Sequence, residues 1–178
     1  MQDISLLKIN LRKALFISVI AAVIIEAILL AIALNILSYV NLFTLPYAII
    51  LFFLTFLAIL AYNFFIKGLN HSRRIATVLI PIGISLALIG VLLSLLGLSY
   101  GIFLLMFAYL IELITGYFMR VDFNLYSSKG TKIFSVGLFI FVLSLPLFLY
   151  NIYLIIIPIF GNLLKGAGLF ILYKNLFS

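Results

Sequence analysis

Two carboxylates and one ammonium, Glu26, Glu112 and Lys165, stand inside long apolar runs of this chain. A charge deep in hydrocarbon costs on the order of 3 kcal/mol or more, so each must face protein or water and find a partner. Two acids against one base leave one acid uncompensated. An acid that gains and loses a proton at membrane mid-depth is what proton-coupled transport uses, so the three form a candidate ion or proton site. The plainer use is an internal clamp, in which Lys165 bridges one Glu and the other is a neutral, hydrogen-bonded acid. A third arrangement has no convergence at all, with Lys165 snorkelling to the cytoplasmic surface.

Helical spacing supports convergence. Ser18, Ala22 and Ala33 share a face with Glu26. Ala108, Tyr109, Thr115 and Gly116 share a face with Glu112, and Pro158, Gly161 and Gly168 share one with Lys165. Residues three, four and seven apart line one side of a helix, so each charge lies on a small or polar face. At 1.5 Å per residue, Glu26 lies about 18 Å from either end of its run. The simplest arrangement points all three groups at the centre of a bundle.

Other chemistry is excluded by composition. There is no Cys and a single His, His71. Disulfides, thiol chemistry, iron–sulfur ligation, paired-His haem ligation and zinc sites needing two His are therefore not available. Neither a metal nor a cofactor is expected. The 67–74 loop could hold a phosphate between Lys67, His71, Arg73 and Arg74. It lacks the spacing of a phosphate-binding Gly-rich loop and reads as a solvated, topology-setting turn. Segment 120–132 carries one carboxylate, Asp122, beside Asn124, Ser127 and Ser128, which is too few for a metal site. No nucleophile stands with a base, so no catalytic residue is assigned and the chain is not expected to be an enzyme.

The elements that must position these groups are membrane helices. The 178 residues are 67% hydrophobic and 8% charged, with mean hydropathy +1.45. A soluble domain is about 45–50% apolar and about 25% charged, so this surface needs lipid as its solvent. A crossing helix needs about 20 apolar residues. The candidates are 14–38, 45–66, 75–97, 101–119, 133–149 and 152–173, in a single transmembrane domain spanning 1–178. The first run extends for about 25 residues, beyond the roughly 7–15 of a signal-peptide core, and reads as a retained span.

Charge orients the spans. All eleven Lys and Arg can be placed on one side. Lys8, Arg12 and Lys13 precede the first span, and Lys67, Arg73 and Arg74 separate the second from the third. Arg120, Lys129 and Lys132 separate the fourth from the fifth, and Lys165 and Lys174 close the chain. The turns near Asn41, Ser99 and Asn151 carry no charge and are marked by Tyr39, Tyr100 and Tyr150. The positive-inside rule then predicts an all-α integral membrane protein of three helical hairpins in the cell (plasma) membrane, with both termini cytoplasmic. In the last 46 residues, Pro146 and Pro158 leave a rival reading, with 133–157 as one long span and 158–173 re-entrant. That reading would put Lys165 and Lys174 outside, against the charge rule.

The formal net charge of +7 sits in juxtamembrane clusters. These suit anionic lipid headgroups, at roughly 1 kcal/mol per basic residue. Nucleic acid is not expected as a partner, because there is no basic soluble domain.

Span 3 carries a stripe of small residues, Ala76, Gly83, Ala87, Gly90, Ser94 and Gly97. Lipid offers no hydrophobic drive for helix association, so small residues that allow close backbone approach supply contact. The stripe predicts that span 3 is the central, tightly packed helix; a homodimer seam is the other use. Span 6 sets Pro158, Gly161, Gly166 and Gly168 around Asn162 and Lys165. Broken helices can expose backbone to substrate at mid-depth, but Gly and Pro are also common in membrane helices, and a plain kink is expected.

The segments Pro-Ile-Gly-Ile-Ser-Leu-Ala-Leu-Ile-Gly at 81–90 and Gly-Tyr-Phe-Met-Arg-Val-Asp-Phe-Asn at 116–124 carry a resemblance, together with the Lys132–Gly137 start of span 5. They resemble an uncharacterised group of small multispanning membrane proteins of thermophilic archaea. The likeness covers the second half as hydrophobic pattern and implies a membrane fold, with no residue roles.

Three functions follow from these features. An accessory or scaffold subunit of a membrane assembly, partnered by other membrane subunits or by itself, suits short loops and a Gly-lined helix. A small autonomous proton- or ion-linked transporter or channel would use Glu26, Glu112 and Lys165. A membrane-embedded lipid enzyme is disfavoured by the missing catalytic groups. The subunit is the leading expectation.

Overall fold

In hydrocarbon, each backbone amide must find its partner inside its own segment, which leaves helices for a chain this apolar. The computed structural model, described over residues 4–34, 36, 45–98 and 100–176, is helical almost throughout. Its helices are α1 (Ile4–Ala33), α2 (Leu45–Gly68), α3 (Arg73–Leu95), α4 (Tyr100–Asn124), α5 (Ser128–Tyr150) and α6 (Ile156–Asn175). All six are long and apolar enough to cross a membrane.

The C-terminal third resolves into two spans. Helix α5 continues through Pro146 and stops at Tyr150; Asn151 is extended, at φ −141° and ψ 113°. The Asn151 side chain accepts from the Tyr153 amide and opens a 3-10 turn over Ile152–Ile155. Pro158 then falls in the first turn of α6, where a missing N–H costs no helical hydrogen bond. One long span followed by a re-entrant segment is not what forms.

Helices α1, α4 and α5 run well past the expected spans. Helix α1 begins at Ile4 and carries Lys8, Arg12 and Lys13 on its first turns, because Leu11, Ala14 and Leu15 are fully buried there. Helix α4 runs to Asn124, since Met119, Asp122 and Phe123 all pack inward. Helix α5 starts at Ser128, with Ser127 as its N-cap accepting from the Gly130 amide at 3.1 Å. The turn near Asn41, its Tyr39 and Ser99 lie outside the described residues. Tyr100 and Tyr150 are highly exposed, as residues wetted at a helix end would be.

Each helix packs on the next in sequence, and α6 returns to α1, so the six close into a ring. The most extensive seam is α5 with α6. It is a backbone-to-backbone contact. A methyl group on Gly137 would lie 2.6 Å from the Leu164 carbonyl carbon, and one on Gly161 2.8 Å from the Phe141 Cα. A methyl on Gly168 would lie 2.5 Å from the Phe134 Cα.

Helix α3 is not the central helix that its small residues predict. It packs on α2 and α4 as one member of the ring. Its stripe divides into separate jobs. Ala76 is buried in the core, while Gly90 and Ser94 meet α4, where a methyl on Gly90 would come within 2.9 Å of the Gly101 carbonyl. Gly83 and Ala87 line a cavity. Gly97 takes no part in packing: it has φ +75° with open space around it, and it ends the helix. Its amide bonds the Ser94 carbonyl, and the Leu98 amide bonds the Leu93 carbonyl. That paired pattern is a Schellman cap, whose left-handed residue is usually glycine.

Pro81 inside α3 leaves the Thr77 carbonyl without its helical donor. The Tyr62 hydroxyl on α2 donates to that carbonyl across a long 3.5 Å contact.

Gly137→Ala is expected to cost about 1–3 kcal/mol of stability by forcing α5 from α6. Gly166→Ala, which would meet only the Ala22 Cβ at 3.5 Å, is expected to be near neutral. Denaturant unfolding of both variants in mild detergent checks the contrast; equal stabilities would mean the seam is not close-packed.

Candidate intramembrane binding site

Helix α6 organises the site. Pro158, Gly161, Asn162, Lys165, Gly168 and Leu169 are all buried on it. Because Gly161 and Gly168 let α5 come close, the two polar residues on this face, Asn162 and Lys165, must be satisfied by other helices. They reach two different ones.

Lys165 Nζ donates to Glu112 Oε1 on α4 at 2.8 Å. It also sits 4.7 Å from the ring centroid of Phe141, a cation–π contact. Tyr109 stands edge-on to Phe141 at 5.5 Å and steadies that ring. The pair is lopsided: the Lys165 side chain is 6% exposed and that of Glu112 is 42% exposed. Lys165 therefore does not snorkel; it is covered and neutralised inside the bundle.

Asn162 turns to α1. Its amide nitrogen donates to Glu26 Oε2 and to the Ala22 carbonyl, each at 2.8 Å. Glu26 is buried in this α1–α6 seam. The three charges predicted to converge thus divide: Glu112 and Lys165 bond each other, and Glu26 bonds Asn162 one turn of α6 away. The signal for Asn162 was its position three residues before Lys165 on the same face.

A cavity of about 270 Å³ opens between α1, α2, α3 and α4, with Phe134, Lys165 and Leu169 on its remaining wall. Its walls carry several short side chains, Ala22, Ala58, Ala87 and Ala108, which leave room between the helices. Glu112 and Lys165 both line it. The nearby hydroxyls of Thr55 and Thr115 are tied to carbonyls of their own helices, at 2.8 and 2.7 Å, so they add little free polarity. For scale, an apolar cavity of roughly 150 Å³ suffices to hold benzene.

Asp122 is the functional-looking residue that sequence reasoning set aside. It is buried in the last turns of α4 and accepts four hydrogen bonds from the 70–72 turn. Oδ1 takes the Asn70 and His71 amides, both at 3.0 Å. Oδ2 takes the Ser72 amide at 2.8 Å and the Ser72 hydroxyl at 2.5 Å. The amides at the start of α3 form the kind of anion cradle found at helix N-termini. Here the chain's own carboxylate fills the cradle, so the 67–74 loop does not offer it to a phosphate. Lys67 ends α2, Arg73 and Arg74 start α3, Arg120 lies in α4, and Lys129 and Lys132 lie in the first turns of α5. No group of three His, Asp or Glu side chains gathers among the described residues.

Comparison with known proteins finds no matching family model, no matching curated protein and no matching solved structure.

Two predictions follow from these bonds. Asp122→Ala strands the amides of 70–72 and should cost about 2–4 kcal/mol, and Asp122→Asn less, in chemical denaturation. Glu112→Gln leaves a buried ammonium and should cost about 1–3 kcal/mol, reduced from a fully buried pair by the exposure of Glu112. The double variant Glu112→Gln/Lys165→Met should recover to within about 1 kcal/mol of wild type, because no charge is then stranded. Strict additivity of the two single losses would show that the groups do not interact.

Proposed function

We propose that the protein is a small carrier that takes a largely apolar solute bearing one positive charge into a cavity within the membrane. The observation that carries this reading is the apolar cavity with an ion pair in its wall. An internal clamp accounts for the ion pair but not for the room beside it, so we prefer the autonomous carrier to the scaffold subunit. The sign of the solute follows from the asymmetry of the pair. Lys165 is enclosed and already donates to Glu112, whereas Glu112 is the accessible partner. A carboxylate at the edge of an apolar cavity favours a cation, and the aromatic walls at Tyr62, Phe65 and Tyr109 favour it further.

The topology proposed with it is three hairpins in the cell membrane, both termini cytoplasmic, with the basic clusters against anionic headgroups. Contacts between helix ends support this. Asp122 ties the end of α4 to the 70–72 turn. The Arg12 guanidinium lies 5.5 Å from the Tyr173 ring, and Lys13 Nζ lies 5.5 Å from the Phe64 ring. These contacts gather the start of α1 and the ends of α2, α4 and α6, and with them most of the basic residues. A single basic end is what the positive-inside rule requires.

The test is calorimetric binding of benzyltrimethylammonium to the purified protein, against neopentylbenzene, its neutral isostere. The cation is expected to bind, and Ala87→Phe, which fills the cavity, to abolish binding. The Glu112→Gln/Lys165→Met double variant is expected to weaken binding by roughly tenfold, about 1.4 kcal/mol. Equal binding of the two isosteres would refute the charge preference. Unchanged binding in Ala87→Phe would place the ligand elsewhere and refute the cavity as its site.

A further inference from the structure

We propose that Glu26 and Asn162 form a proton-binding site in the α1–α6 seam, in which Glu26 is a carboxylic acid that shares its proton with the Asn162 carbonyl oxygen. The proposal stands on this pair's own geometry and does not rest on the carrier reading.

The argument is a donor count. Asn162 has two amide hydrogens, and both are spent, on Glu26 Oε2 and on the Ala22 carbonyl. The orientation of the amide is set by these partners, since the Ala22 carbonyl can only accept. Two oxygens remain, Glu26 Oε1 and Asn162 Oδ1; both are buried and neither has a partner. Asn162 is 1% exposed and Glu26 8%. Stranding a buried acceptor is costly, and stranding an ionised carboxylate costs more. Both orphans are acceptors, so no rotation of either side chain satisfies both.

One proton does. A carboxylic acid and a carboxamide can face each other across two parallel hydrogen bonds, one N–H to O and one O–H to O. The N–H half of that ring is already in place at 2.8 Å. A proton passed from a solvent hydronium to Oε1 supplies the other half: one O–H bond breaks in the hydronium, which leaves as water, and one O–H bond forms on Oε1. It also removes the net charge from a site that holds no compensating cation.

The surrounding charges leave that role to the proton. Lys165, three residues along α6 from Asn162, is held by Glu112 at 2.8 Å. From α2, among the described residues, the titratable group lining the interior is Tyr62, whose hydroxyl is turned to the Thr77 carbonyl. From α4 the groups are Glu112 and Tyr109. The basic residues of α5, Lys129 and Lys132, lie in its first turns. Among the described residues no cation lies within ion-pair distance of Glu26. The unspent oxygens are two, Oε1 and Oδ1, a sparse shell for a hard metal cation.

Glu26 and Glu112 are the only glutamates in the chain, so the wild-type protein can be read without a substitution. Protein labelled with 13C at the glutamate carboxyl is reconstituted in vesicles, without any solute, and examined at neutral pH by infrared and solid-state NMR spectroscopy. One protonated carboxyl and one carboxylate are expected, in equal amounts. The protonated signal should vanish in Glu26→Gln and persist in Glu112→Gln. Two carboxylate signals at neutral pH would overturn the proposal. So would a Glu26 carboxylate signal that shifts on adding sodium chloride, which would give the orphan oxygens to a metal cation. Because no solute is present, failure here leaves the cavity reading standing, and failure of cation binding leaves this one standing.

Discussion

A lysine ammonium enclosed in a lipid-embedded bundle has to be neutralised where it stands, and the Lys165–Glu112 bond does this at 2.8 Å. Much of the architecture follows from making that bond possible. Lys165 is on α6 and Glu112 on α4, two helices that are not neighbours in the ring. The ammonium must therefore reach inward past α5. It does so because α5 is drawn against α6 through Gly137, Gly161 and Gly168, which removes side chains from its path. Phe141 of α5 then offers its ring face to the ammonium, so the apolar neighbour that could have desolvated the charge also stabilises it.

Small residues serve two opposite purposes in this molecule. Along the α5–α6 seam and at Gly90–Gly101 they let one backbone touch another. Ala58, Ala87 and Ala108 instead line the cavity, where short side chains leave room. The distinction is one of neighbours rather than composition. A glycine met by an opposing backbone becomes contact; a small residue turned to the interior of the ring leaves volume. Six helices in a closed ring cannot all be close-packed on a common axis, and the interior is where the deficit accumulates.

This is also where the legibility of the sequence ends. Six apolar runs are plain because the thickness of hydrocarbon demands them, and Asn151 between two prolines marks the last turn correctly. The pairing of Lys165 with a glutamate could be anticipated from charge cost alone, while its choice of Glu112 over Glu26 could not, because that depends on how α6 is rotated. The stripe of α3 showed a face without bulk, yet not what would stand opposite it. Asp122 was invisible for a different reason. Its partners are the backbone amides of 70–72, and amides carry no residue identity to read. The run of α1 back to Ile4 is not legible because basic residues mark a membrane boundary, whereas the helix is continued by the packing of Leu11 and Ala14.

The two intramembrane glutamates show how one residue type takes two states in one fold. Glu112 meets an ammonium and stays partly open to the cavity, so its charge is matched and accessible. Glu26 meets an amide whose two hydrogens go to its own Oε2 and to the Ala22 carbonyl, and among the described residues no cation pairs with it. The same α6 face serves both, through residues three apart, so rotation or tilt of that helix moves the two sites together. A change of charge at Glu26 would therefore strain the α1–α6 seam and, through α6, the reach of Lys165 toward Glu112. Mechanical linkage of that kind requires no contact between the two acids. It requires only that α6 respond as one body, held along one side by the glycine-lined seam to α5.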